Sequence, residues 1–136
     1  MRIPAYLIAA ASLASCTVGP QSAAYDQANA AKLQQTLAGK VAGAPVSCLP
    51  SYRSNDLIRA GDDVAIFRDG PNRVYVNRLN GSCSGLGNQN YALVTKTVGS
   101  SSVCRGDIAR IVDLSTGMTV GSCSFGDFVP YTSARR

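Results

Sequence analysis

The chain contains no histidine and no tryptophan, and only 15% of its 136 residues are charged. The missing imidazole excludes Ser-His-Asp and Cys-His nucleophile systems in their usual form. It also excludes every zinc site built on histidine. General acid–base work would fall to carboxylates, Lys, Tyr or Cys. No two cysteines stand at the short spacing of zinc knuckles or redox dithiols, so neither a metal nor a cofactor is expected. No apolar run reaches the roughly 20 residues that cross a bilayer as a helix. The net charge of +5 is scattered, and Arg135 and Arg136 sit at the very end of the chain. A nucleic-acid binder shows a basic stripe interleaved with aromatics, and none is present.

What the chain does have begins at its N-terminus. Arg2 is followed by the apolar stretch Ile3 to Leu13, then by Ala14, Ser15 and Cys16. A positive start, a short apolar segment and small residues before a cut are the parts of a secretory signal. Leu13-Ala14-Ser15-Cys16 reads as a lipoprotein box, which makes Cys16 the acylated first residue of the mature protein. Residues 1–15 would then be the signal peptide, and net charge falls to +4 as Arg2 leaves. The competing readings are a buried N-terminal helix and ordinary secretion with cleavage after Ser22-Ala23-Ala24. Thr17 follows the anchor cysteine. By analogy with enterobacterial lipoproteins, where aspartate there retains a protein in the inner membrane, it points to the outer membrane, facing the periplasm.

Setting Cys16 aside leaves Cys48, Cys83, Cys104 and Cys123. An even remainder in an exported chain implies two disulfides. Three pairings are open. Cys83–Cys104 with Cys48–Cys123 is favoured, because the first two flank one expected strand and the others lie near the first and last. Each bridge is worth ~3–4 kcal/mol by restricting the unfolded chain, help that a domain of this size needs.

Four segments follow. Residues 1–15 are signal and 16–44 a tether and helix. Residues 45–132 form a small β domain, and 133–136 a loose tail. The helix is expected over 23–38, with Ala30, Leu33 and Leu37 as a thin apolar stripe and Gly39 as its stop. Short strands follow at Val46–Leu49, Val64–Arg68, Arg73–Leu79, Tyr91–Val98, Ile108–Leu114 and Met118–Ser122. Asp69-Gly70-Pro71-Asn72 and Ser115-Thr116-Gly117 mark hairpins. Asn80-Gly81 marks a further turn, and Pro130 ends the domain. The fold class is mainly β: a small antiparallel meander, barrel or sheet, preceded by one helix. The core is expected from Val64, Ile66, Phe67, Val74, Val76, Leu79, Leu93, Val94, Ile108, Ile111, Val112, Val120, Phe125 and Phe128.

A set of ordered motifs resembles a known family. It runs Cys48, Asp62-Asp63 before an Ile-Phe strand, Asn77-Arg78-Leu79 and Cys83-Ser84-Gly85-Leu86. Then come Cys104-Arg105-Gly106-Asp107-Ile108 and Cys123-Ser124-Phe125-Gly126-Asp127-Phe128. Over about residues 40–132 this is similar to an uncharacterised proteobacterial family of short exported proteins, often lipoproteins. The resemblance implies an envelope location and a cysteine-linked small domain, and no activity. Cys16-Thr17-Val18-Gly19-Pro20 separately looks like the start of outer-membrane efflux lipoproteins, but the chain is far too short for such a channel.

The remaining motifs have ordinary explanations. Arg105-Gly106-Asp107 spells an adhesion tripeptide, yet beside Cys104 it reads as a turn whose aspartate binds local backbone. Gly81, Gly85 and Gly87 form a glycine-rich loop without the lysine and following helix of a phosphate cradle. Tyr75, Tyr91 and Tyr131 with Arg73 and Arg78 are candidates for a ligand-facing sheet surface. Asp62-Asp63, Asp69, Asp107, Asp113 and Asp127 supply carboxylates. The leading expectation is an envelope lipoprotein, attached to the membrane by lipid, whose β domain binds an envelope protein or polysaccharide. The alternatives are a hydrolase of envelope glycan working through Asp62 and Asp107, and an inhibitor of a periplasmic enzyme.

Overall fold

Val64, Ala65, Ile66 and Phe67 are consecutive and all buried, which a strand achieves only when both its faces are covered. Ala65 and Phe67 enter the larger of two apolar clusters, Val64 and Ile66 the smaller. The structure, a computed structural model, describes residues 20–50, 57–97, 99 and 101–134. Cys16 and residues 1–15, expected to be a signal segment, lie outside the described residues. The elements are α1 (Pro20–Leu37), β1 (Lys40–Ala42), β2 (Leu57–Arg59), β3 (Val64–Asp69) and β4 (Arg73–Ser82). They continue with β5 (Tyr91–Lys96), β6 (Ile108–Asp113) and β7 (Thr119–Ser133).

The sheet is antiparallel, in the order β2-β3-β4-β7-β6-β5, and curls into a half-barrel. Two local meanders, β2-β3-β4 and β5-β6-β7, join because β7 lies beside β4. The expected hairpins form. Asp69 pairs with Arg73 across Gly70-Pro71-Asn72, and β6 returns as β7 through Ser115-Thr116-Gly117.

Three expected boundaries shift. Asn80-Gly81 is not a turn: both residues continue β4, opposite Ser124 and Cys123 of β7. Pro130 does not end the domain, since β7 runs on to Ser133. Its carbonyl accepts from the N–H of Gly43, so its donor-less nitrogen faces β1, where that pairing stops, and leaves the β4 ladder intact. Val46–Leu49 makes isolated bridges to Phe128 and Cys104 rather than a strand. The sheet also reaches beyond 45–132, because β1 pairs with the end of β7 and Ala134 bonds to Gly39.

A bulge lets Phe125 and Phe128 share the inner face. Asn77 opposes Phe128 and Leu79 opposes Phe125, so β7 carries one extra residue at Gly126-Asp127. Asn77, fully buried, fills that gap. Its Nδ2 donates to the carbonyls of Gly126 (2.8 Å) and Asp127 (3.3 Å), and its Oδ1 accepts from the Gly126 N–H (3.1 Å). A Cβ on Gly126 would stand 2.5 Å from the Arg78 carbonyl oxygen. Phe67, Phe125 and Phe128 then meet with ring centroids 5.8 to 6.1 Å apart.

The bridges are Cys48–Cys104 and Cys83–Cys123, not the favoured pairing. Register explains both. Cys83 follows Ser82, which pairs with Ser122, and so arrives beside Cys123 on the neighbouring strand. Cys48 meets Cys104 in a two-rung ladder, where Leu49 donates to Val103 and Arg105 to Ser47. With sequence separations of 56 and 40, each is worth about 4 kcal/mol in chain entropy.

Helix α1 covers the outer face of the first meander only. Leu33 and Leu37 pack there against Val64, Ile66, Val74 and Val76. Proline suits the first helical position, and Gly39, at φ +70°, ends the helix as expected. On the other half of that face the described residues leave apolar side chains open. Val94, Ile108 and Val120, expected in the core, are 47%, 48% and 42% exposed. The inner face is filled instead by Ala109 and Ile111, with Leu49, Leu86 and Val103 closing it.

Candidate functional site

The carboxylates expected to carry chemistry are dispersed. Asp62 lies in the β2–β3 turn under α1, where its Oδ1 accepts from the Tyr25 hydroxyl and from the Gly87 N–H, both at 3.2 Å. Burial, then the negative charge of Asp62, raises the pKa of the Tyr25 phenol. A Cβ on Gly87 would meet that hydroxyl, so glycine there lets the Tyr25 ring reach Asp62 without shifting. In this part of the glycine-rich loop the Gly87 N–H is thus engaged by the Asp62 carboxylate. Asp26, Asn29, Asp63 and Arg78 line the rest of the cleft between α1 and the turn.

Asp107 is elsewhere. Its Oδ2 accepts from the Cys104 N–H at 2.8 Å, so Arg105-Gly106-Asp107 is the expected turn. Asp63, Leu79, Phe125 and Asp107 form a row of backbone hydrogen bonds and strand pairs across the sheet. Three strand spacings along the sheet, about 14 Å, therefore separate the backbones of Asp63 and Asp107, and the two candidate carboxylates turn to different partners, Asp62 to Tyr25 and Gly87 and Asp107 to Cys104. The other acids have local partners. Asp113 accepts from Ser115 and Thr116, bonds that lower its pKa, the Ser115 side chain contributing most. Asp69 pairs with Arg73 and Asp127 with Arg105.

The tyrosines do not share a surface. Tyr75 is buried in the inner cluster, Tyr91 packs partly buried against that cluster, and Tyr131 packs against the outer one. The Arg73 guanidinium stands over the Tyr75 ring at 5.6 Å. Among the described residues no group of three or more His, Cys, Asp or Glu could hold a metal. No helix among them is long and apolar enough to cross a membrane.

The surface that sequence reasoning misassigned is the outer face of β5, β6 and β7. Strand alternation puts Val94 and Lys96 of β5 beside Ile108 and Arg110 of β6, in the pairs Val94–Arg110 and Lys96–Ile108. Leu114 and Met118, 66% and 67% exposed, continue the apolar surface at the β6–β7 hairpin tip. The signal was legible: a lysine and an arginine at period two from Val94 and Ile108 mark a solvent face. Searches of protein families, of curated proteins and of solved structures find nothing that matches this chain.

Proposed function

We propose that the chain is a cell-envelope lipoprotein. An acyl group on Cys16 holds it to the membrane, and the β sheet serves on the periplasmic side as a binding or structural module for an envelope protein or polysaccharide. The observation that carries this reading is the cysteine balance. The four cysteines after Cys16 close on one another, which leaves Cys16, behind its apolar leader, as the odd thiol. Disulfides belong to oxidising compartments, where an exported lipoprotein resides. Thr17 supports the outer membrane as the location. The dispersal of Asp62 and Asp107 favours binding over hydrolysis through that pair.

Non-reducing mass spectrometry of the protein extracted from its native membranes tests this. The expected mass is residues 16–136 plus lipid, less the four hydrogens of two bridges. A mass without lipid, or free thiols at Cys48, Cys83, Cys104 or Cys123, refutes the reading. Crosslinking of the anchored protein then identifies the partner.

A further inference from the structure

We propose that the Cys48–Cys104 bridge is a redox latch, oxidised at rest and opened by a dithiol. Its reduction frees residues 43–49 from the sheet and uncovers one end of the inner apolar cluster, while Cys83–Cys123 holds the sheet together. The latch stands on the two bridges alone, independent of the acyl anchor.

The bridges occupy different surroundings. Cys83 and Cys123 are buried members of the inner cluster. Their bond lies across the long β4–β7 pairing, so a reductant reaches it only when the sheet opens. Cys48 is exposed, Cys104 is half-buried, and neither belongs to either apolar cluster. Thiol–disulfide exchange requires an attacking thiolate to reach a sulfur. Among the four bridged cysteines, Cys48 is the one that offers this access in the folded protein.

The segment behind the bridge is lightly held. Residues 43–49 follow β1 and lie outside the strands. Every residue from Gly43 to Cys48 is exposed, and Leu49 alone is buried. The Gly43 N–H donates to the Pro130 carbonyl, and Val46 exchanges two hydrogen bonds with Phe128. On either side of the bridge, Leu49 donates to Val103 and Arg105 to Ser47. Leu49 and Val103, one residue from each cysteine, are the buried side chains that close the inner cluster here. Without the covalent link they are retained only by those bonds and their own packing. Short segments with few buried contacts open locally before a sheet unfolds.

The exchange runs in two steps. A thiolate of the dithiol attacks the Cys48 sulfur and forms a mixed disulfide. The Cys48–Cys104 bond breaks, and Cys104 leaves as a thiolate that takes a proton from water. The second sulfur of the dithiol, also as a thiolate, then attacks the first and closes the dithiol into a disulfide. Cys48 is released and protonated in turn. The bridge gains two electrons and two protons, and the dithiol loses them.

The oxidised full chain, treated under native conditions with graded dithiothreitol, provides the test, with hydrogen exchange read by mass spectrometry. When Cys48–Cys104 is open, peptides spanning 43–49 and 101–105 should lose protection, while β4 and β6 keep theirs. With glutathione, a monothiol that halts at the mixed disulfide, the adduct should map to Cys48. The chain carrying both Cys48→Ser and Cys104→Ser should show the same exchange pattern without any reductant. Unchanged protection at 43–49 after reduction overturns the proposal, because the bridge is then an inert surface link. Loss of protection in β4 and β6 together with 43–49, or a double variant that fails to fold, overturns it as well, because the bridge is then a staple of the whole sheet. Simultaneous reduction of both bridges, or glutathione on Cys104, also overturns it.

Discussion

Replacing Asn77 tests how the β7 bulge is held. The side chain makes three hydrogen bonds to the backbone of Gly126 and Asp127 and is fully buried. Each bond is worth about 0.5–1.5 kcal/mol net, and truncation also leaves a void behind Phe128. Asn77→Ala should therefore cost about 2–4 kcal/mol, a large share of the 5–15 kcal/mol typical of a domain. Asn77→Asp separates donor from acceptor. An ionised carboxylate keeps the bond from the Gly126 N–H but turns an oxygen toward two carbonyls. As a buried, uncompensated charge it costs about 3–5 kcal/mol. When protonated it can donate again. Its folded pKa is thus raised above the unfolded value of about 3.9. The variant's stability relative to Asn77→Ala should be greatest below pH 4 and be lost as pH rises through the folded pKa. Urea denaturation followed by circular dichroism, at a series of pH values, reads both effects. A loss below 1 kcal/mol for Asn77→Ala, or an Asn77→Asp curve parallel to it at every pH, refutes the argument.

Gly126→Ala should cost about 2–3 kcal/mol by overpacking, since the backbone carbonyl of Arg78 cannot yield to its Cβ; an unchanged urea midpoint would count against the bulge. Dithiothreitol should reduce Cys48–Cys104 before Cys83–Cys123, because Cys48 is exposed while Cys83 and Cys123 are 1% and 5% exposed. Alkylation and mass spectrometry of the folded protein give the order, and the reverse order refutes it. Asp113, its pKa lowered by its turn bonds, lends stability that is present above the ordinary carboxylate pKa of about 4. That stability is lost as pH falls through the depressed value. Asp113→Ala should accordingly shallow the acid limb of stability against pH, and an unaltered slope speaks against the turn bonds.

Local features were legible in the sequence and long-range ones were not. Gly70-Pro71-Asn72 and Ser115-Thr116-Gly117 declare hairpins because turn geometry is settled within a few residues. The β4–β7 pairing is not local, and most surprises descend from it. It carries β4 through Asn80-Gly81, which alone reads as a turn. It also carries β7 past Pro130 and brings Cys83 to Cys123. The Phe125–Phe128 spacing breaks strand alternation, and with the intervening glycine it encodes the bulge. Val94 and Ile108 are hydrophobic yet face outward, as their period-two neighbours Lys96 and Arg110 indicate. Of the candidate sites, the four bridging cysteines were identifiable by count, but their pairing required register.

The placement of the bridges determines how the fold bears a pull on its N-terminus. On the proposed anchoring, load enters at Cys16 and passes along α1, which is held chiefly by Leu33, Leu37 and the Tyr25 contact. Full burial of two leucines is worth about 3–6 kcal/mol, and these are only partly buried. Next comes β1, paired to β7 over three residues. Both are layers that can peel while the core stays folded. At Cys48 the load meets a covalent link to Cys104, just ahead of β6, so residues 49–103 are enclosed in a closed loop. The second bridge ties β4 to β7 across the pairing that joins the two meanders. The chain therefore places its weakest contacts between the anchor and the first bridge, and its phenylalanine cluster behind both. Helix α1 can lengthen the tether without exposing Phe67, Phe125 and Phe128, which lie on the opposite face of the sheet.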